Sequence, residues 1–88
     1  MTDAIEDQIR KQMFLLLHER GASKTICPSE VARAIAGKNE NEWRLLMRPI
    51  KAFAVEAANA GEIIIKRKGK MIDPQNIKGI YRIGLSGD

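Results

Sequence analysis

Residues 42–61 read EWRLLMRPIKAFAVEAANAG, and the way this stretch distributes apolar and basic side chains decides the fold. Trp43, Leu46/Met47, Ile50, Phe53/Ala54 and Ala57 recur at i, i+3/i+4 and i+7, the spacing of one helical stripe. On the other side Arg44, Arg48, Lys51 and Val55 follow at i, i+4, i+7 and i+11, so three cations stand in a row that core packing does not explain. Pro49 interrupts the pattern, disfavouring the α region at Arg48 and removing a hydrogen bond to the Leu45 carbonyl. Two readings remain: one kinked helix over 42–60, or a short helix over 42–47 followed by a main helix from about Arg48 with Pro49 in its first turn. The second is preferred, because a first-turn proline is nearly free whereas a mid-helix one costs about 3 kcal/mol. The basic row would then be bent.

Upstream, Ile5, Ile9, Met13, Leu16 and Leu17 keep helical spacing and predict a first helix over 3–20. Thr2 or Asp3 can cap it, Glu6 and Asp7 suit its positive end, and His18 and Arg20 suit its negative end. Residues 21–24 form a loop, and Thr25-Ile26-Cys27 is a β-prone triplet, short enough for one edge strand over 25–27. Pro28 opens a second helix over 28–36, Glu30 is placed to reach back to its cap, and Gly37 stops it. A polar connector, 38–41, offers Asn41 as the cap of the third helical region, 42–60.

Downstream of Gly61 the apolar period changes from 3.6 to 2. EIIIKR (62–67) reads as a strand, Lys68-Gly69-Lys70 as a tight turn, and GIYRIGL (79–85) as a second strand with Tyr81, Ile83 and Leu85 on one face. Asp73-Pro74 marks a turn between them, before which Met71-Ile72 can pair briefly; Ser86, Gly87 and Asp88 are expected to fray. Helix, short strand, helix, turn, helix, hairpin is the order of an α+β, mainly helical fold: a winged helix-turn-helix of three helices plus a C-terminal β-hairpin wing over 62–85, in a single domain 1–88.

Composition narrows the function. With 44% hydrophobic and 30% charged residues the chain is expected to fold rather than stay disordered. Residues 1–43 carry 6 Lys+Arg against 7 Asp+Glu, and residues 44–88 carry 9 against 4, so all the basic excess lies in the second half and favours a polyanion. Cys27 is the single cysteine, which excludes an intrachain disulfide; the charged start lacks the layout of a signal peptide, and no apolar run approaches the ~20 residues of a membrane span. A cytoplasmic protein without a membrane partner is expected.

Seven side chains are candidates for nucleic-acid contact: Arg44, Arg48 and Lys51 on the third helical region, and Lys66, Arg67, Lys68 and Lys70 around Gly69 in the wing. The competing reading is a solvated helix face and a charge-guarded strand edge. Trp43, Phe53 and Tyr81 are assigned to the core, and aromatic residues at 5% give no stacking platform for single strands. His18 and Cys27 are too few for a zinc site; as a nucleophile Cys27 would need a base, for which His18 is the candidate, and an orienting partner, and it is read instead as a small buried residue before the second helix, so neither metal, cofactor nor catalysis is expected. Double-stranded DNA is the expected partner. The rival is an interaction module on the same scaffold, docking an acidic protein or a second copy through surfaces that include Val55 and Met71.

Three pieces together, PSEVARAIAG, WRLLMRPIKAFAVEAANAGEIII and KRKGKMIDP followed by KGIYRIGL, resemble the bacterial domain-of-unknown-function family 3253 over Pro28 to Leu85. The shared features are a tryptophan-arginine pair, a Met-x-Pro, an Ala-rich helix ending in glycine and an Asp-Pro after a basic turn. The resemblance implies a winged-helix-like fold and no established activity.

Overall fold

Helix α1 (Ala4–Arg20) places Ile9, Met13 and Leu17, four residues apart, in the core. The computed structural model describes residues 4–86, so the cap expected at Thr2 or Asp3 and the fraying expected at Gly87 and Asp88 lie outside the described residues. After the Gly21 turn, strand β1 is Thr25–Ile26, one residue shorter than the 25–27 expected. Cys27 leaves the ladder because α2 claims it: its N–H donates to Glu30 Oε2 (2.8 Å) and its carbonyl accepts from the Glu30 N–H (2.9 Å). Helix α2 runs Pro28–Ala36 with proline at its first position, buries Val31 and Ala32, and stops at Gly37, whose positive φ of 90° a side chain would resist.

The third helical region starts two residues before the expected 42. Asn39, not Asn41, is the cap, its side chain accepting from the Asn41 N–H at 2.9 Å. Helix α3 (Glu40–Trp43) passes through one 3₁₀ turn (Arg44–Leu46) into α4 (Met47–Asn59), in which Pro49 is the third residue. The backbone stays in the right-handed helical region through Trp43, Arg44, Leu46 and Met47. Pro49 therefore stands in the first turn of the main helix, as the preferred reading has it, although the short helix ahead of it ends at Trp43 and a 3₁₀ turn joins the two. In a first turn the missing N–H costs little, because the first N–H groups of an α-helix have no partner within it. Ile50, Phe53, Ala54 and Ala57 of α4 are buried, and α4 packs on α1, α2 and β2.

Strands β2 (Ile63–Arg67), β3 (Lys70–Met71) and β4 (Arg82–Leu85) join β1 in one antiparallel sheet of order β1-β4-β2-β3. The wing is thus three strands rather than a two-strand hairpin, and its last strand begins at Arg82 rather than Gly79. Ile72 still donates its N–H to the Ile65 carbonyl of β2 (2.9 Å), and the chain then leaves the sheet: the 3₁₀ turn Pro74–Asn76 lies against α4, Ile77 is buried, and Gly79 at φ +70° swings the chain back. Ile65 pairs with Ile83 and Ile26 with Ile83 on the inner face, which meets the helices; Lys66 pairs with Arg82 and Thr25 with Gly84 on the outer face. One core joins both layers, with Ile9, Met13, Leu17 and Ile50 against Ile63, Ile65 and Ile83. The architecture is α+β and winged-helix-like.

Candidate nucleic-acid interface

Strand alternation divides the wing cations into two sets. Arg67 shares the inner face with Ile63 and Ile65 but lies past the end of the core, and its guanidinium crosses Gly79 to donate to the Lys78 carbonyl. Lys70 stands directly opposite Arg67 across the β2–β3 ladder. Lys68 (φ +53°) and Gly69 (φ +79°) form the two-residue turn between them, the left-handed pair that a tight hairpin needs. Lys66 takes the outer face instead, opposite both Arg82 and Met71.

On the third helical region Arg44, Arg48 and Lys51 are all exposed. Arg44 pairs with Glu40 one turn earlier at 3.2 Å, both ends open to water, a contact worth a few tenths of a kcal/mol at ~0.3–0.5. Arg48 has no partner among the described residues. Lys51 Nζ donates to the Ile77 carbonyl over a long 3.4 Å. Val55, expected to continue the row, is half-buried against the core.

The aromatic residues are occupied. The Arg33 guanidinium lies 5.6 Å from the half-buried Trp43 ring and that of Arg10 lies 5.1 Å from Phe53. Tyr81 is 6% exposed, and its hydroxyl has no hydrogen-bond partner among the described residues. Burial, with the neighbouring Cys27 adding to it, pushes its phenol from 10.0 up to about 12.

Three cations absent from the sequence-based set gather with Lys66. Arg20 Nη1 and Arg82 Nη2 both donate to the Thr25 carbonyl, at 3.0 and 3.1 Å, and Arg82 Nε also donates to Thr25 Oγ1 at 3.0 Å. Lys24 completes the rim of the same cleft. Glu30 reaches Arg20 at 2.5 Å without lining the cleft itself. Burial acts to raise the Glu30 carboxyl, but the Cys27 N–H, the Arg20 contact and the Arg20 and Arg82 charges outweigh it and hold the group below 4.5. Alternation along β4 was the available signal: Tyr81 and Ile83 facing inward send Arg82 outward beside Lys66.

Among the described residues no three His, Cys, Asp or Glu side chains group to hold a metal ion, and no helix is long and apolar enough to cross a membrane. The chain belongs to the family described as protein of unknown function (DUF3253), whose profile matches residues 6–86. No curated protein matches it.

Proposed function

We propose that this domain binds duplex nucleic acid, with DNA as the partner, as a helix-turn-helix in which α4 and the wing meet one phosphate backbone. Arg44, Arg48 and Lys51 act from the third helical region, and Arg67, Lys68 and Lys70 from the wing. The observation that carries the reading is the anchoring of Lys51 and Arg67 on the consecutive carbonyls of Ile77 and Lys78, which joins the two groups of cations at one edge of the molecule. Hydrogen bonds to carbonyls leave the charges uncompensated and most donors free, since an ammonium has three and a guanidinium five.

Two features of the wing work against the fold. Arg67 and Lys70 are like charges directly opposite in a ladder, which destabilises, and Lys68 holds a left-handed conformation that costs a non-glycine residue about 1 kcal/mol. Affinity comes mainly from phosphate contacts and so depends on salt, while Arg48 is the residue placed to read a guanine edge. Regulation of transcription in the cytoplasm is the role that fits. The test is the quadruple variant Arg48→Glu, Lys51→Glu, Lys68→Glu, Lys70→Glu: duplex affinity at low salt drops at least a hundredfold, and an unchanged affinity removes the proposal.

A second reading rests on apolar exposure. Leu45 and Ile80 are 74% and 80% exposed and Met71 65%, side chains that an interaction module would cover with a second copy or an acidic protein. A dimer that persists unchanged from low to high salt in sedimentation favours this reading over the first.

A further inference from the structure

We propose that the outer face of the sheet carries a separate phosphate-binding site, formed by Arg20, Lys24, Lys66 and Arg82. It does not depend on duplex binding by the helix and wing. The cleft measures about 540 Å³, and its walls come from three places: the end of α1 and the loop after it, the paired strands β1, β4 and β2, and the wing turn at Gly69. At ~30 Å³ per water molecule it has room for a phosphate or a diphosphate with part of its hydration shell.

Charge and geometry both point to an anion. Four cations and, among the described residues, no carboxylate line the cleft, and Glu30 beside it is already engaged by Arg20. Lys66 and Arg82 are direct cross-strand partners of the same sign, an arrangement that works against the sheet unless something negative lies between or above them. The two arginines are fixed in advance: both guanidinium groups meet at the Thr25 carbonyl, and Arg82 is held a second time by the Thr25 hydroxyl. Each still has N–H donors in excess of those used, and arginine presents them in the planar fork that matches phosphate oxygens. Lys24 and Lys66 have no acidic partner among the described residues and supply mobile point charges at the rim. Ser23 adds a hydroxyl at the same edge.

Phosphate could reach this cleft as a free phosphorylated ligand or as part of a nucleic-acid backbone passing the wing, and one experiment separates them. The uniformly ¹⁵N-labelled full chain is titrated at low salt with inorganic pyrophosphate and, separately, with a duplex oligonucleotide, following the amides of Lys24, Thr25, Lys66, Gly69 and Gly84. Pyrophosphate saturates these amides with a dissociation constant on the order of 1 mM or tighter. Lys24→Gln/Lys66→Gln, whose unchanged spectrum elsewhere certifies the fold, weakens it about tenfold, whereas Lys38→Gln, removing an equal charge from the connector before α3, leaves it unchanged. A duplex that competes for the same amides identifies a backbone phosphate as the natural ligand; a duplex that leaves them unmoved identifies a free phosphorylated compound. Absence of saturation by about 10 mM pyrophosphate, or equal weakening by Lys38→Gln, overturns the proposal.

Discussion

Lys51 of α4 and Arg67 of β2 donate to successive carbonyls, those of Ile77 and Lys78, so a side chain from the helix and one from the wing are tied to adjacent peptide units. Sixteen positions apart in sequence, they are brought together by a segment that belongs to neither element. Two features hold that segment: Ile77 is buried under it and Gly79 turns it at φ +70°. A conformation of this sign strains any residue with a Cβ, so the glycine is required where the chain passes beneath the Arg67 guanidinium.

Replacing Ile77 with alanine removes a buried anchor without touching a charge. It costs about 2–4 kcal/mol of stability, read as a fall in denaturant midpoint at constant slope. Because Lys51 and Arg67 lose their common support, duplex affinity falls as well, at temperatures where the variant is still folded. Unchanged affinity in the folded variant means that the segment does not align helix and wing.

The buried Tyr81 hydroxyl has no partner among the described residues, so Tyr81→Phe leaves no hydrogen bond broken and is neutral or stabilising by up to about 1 kcal/mol. The phenol titrates at about 12 in the folded chain against 10.0 normally. Burial therefore favours the protonated fold: the contribution is complete below pH 10 and is lost as pH rises from 10 through about 12. Thermal melts over that window fall more steeply for the native chain than for Tyr81→Phe.

Glu30 behaves in the opposite sense, because its carboxylate form is the one that caps α2 and pairs with Arg20. With its folded value below 4.5, its contribution is present above pH 4.5 and disappears as pH falls through the lower folded value. Glu30→Gln costs about 1 kcal/mol at neutral pH, a melting shift of about 4–8 °C in a domain of this size. The gap to the native chain closes in acid.

Lys68→Gly relieves the left-handed strain at the wing turn and raises stability by roughly 0.5–1 kcal/mol. Losing one phosphate contact lowers duplex affinity at the same time and reduces the salt slope by about 1. A gain in stability with no loss of binding places Lys68 outside the interface.

Local chemistry made some elements readable to the residue. Pro28, Glu30 and Gly37 fix α2 because each acts on its own few bonds, and the alternation of Ile63, Ile65, Tyr81 and Ile83 assigns the buried face of the wing. The start of the third helical region was not fixed in this way. Asn39 and Asn41 are equally able to cap, and the choice between them depends on how the connector leaves Gly37. Nor does apolar spacing distinguish a 3₁₀ turn from an α-turn over three residues, so Arg44–Leu46 was invisible. Residues 72–80 carry no period because what holds them is non-local: Ile77 is buried in the common core and the turn Pro74–Asn76 lies against α4, far back in the chain. The outer cleft escaped for the same reason: Arg20, Lys24, Lys66 and Arg82 become neighbours only through the register of β1 on β4 and β4 on β2.

The claim that cations of α4 and the wing grip one phosphate backbone is tested most directly by titrating a duplex at a series of salt concentrations with the native chain. Six engaged cations give a slope of log K against log salt near −5. A slope near zero, or no binding at the lowest salt, contradicts it.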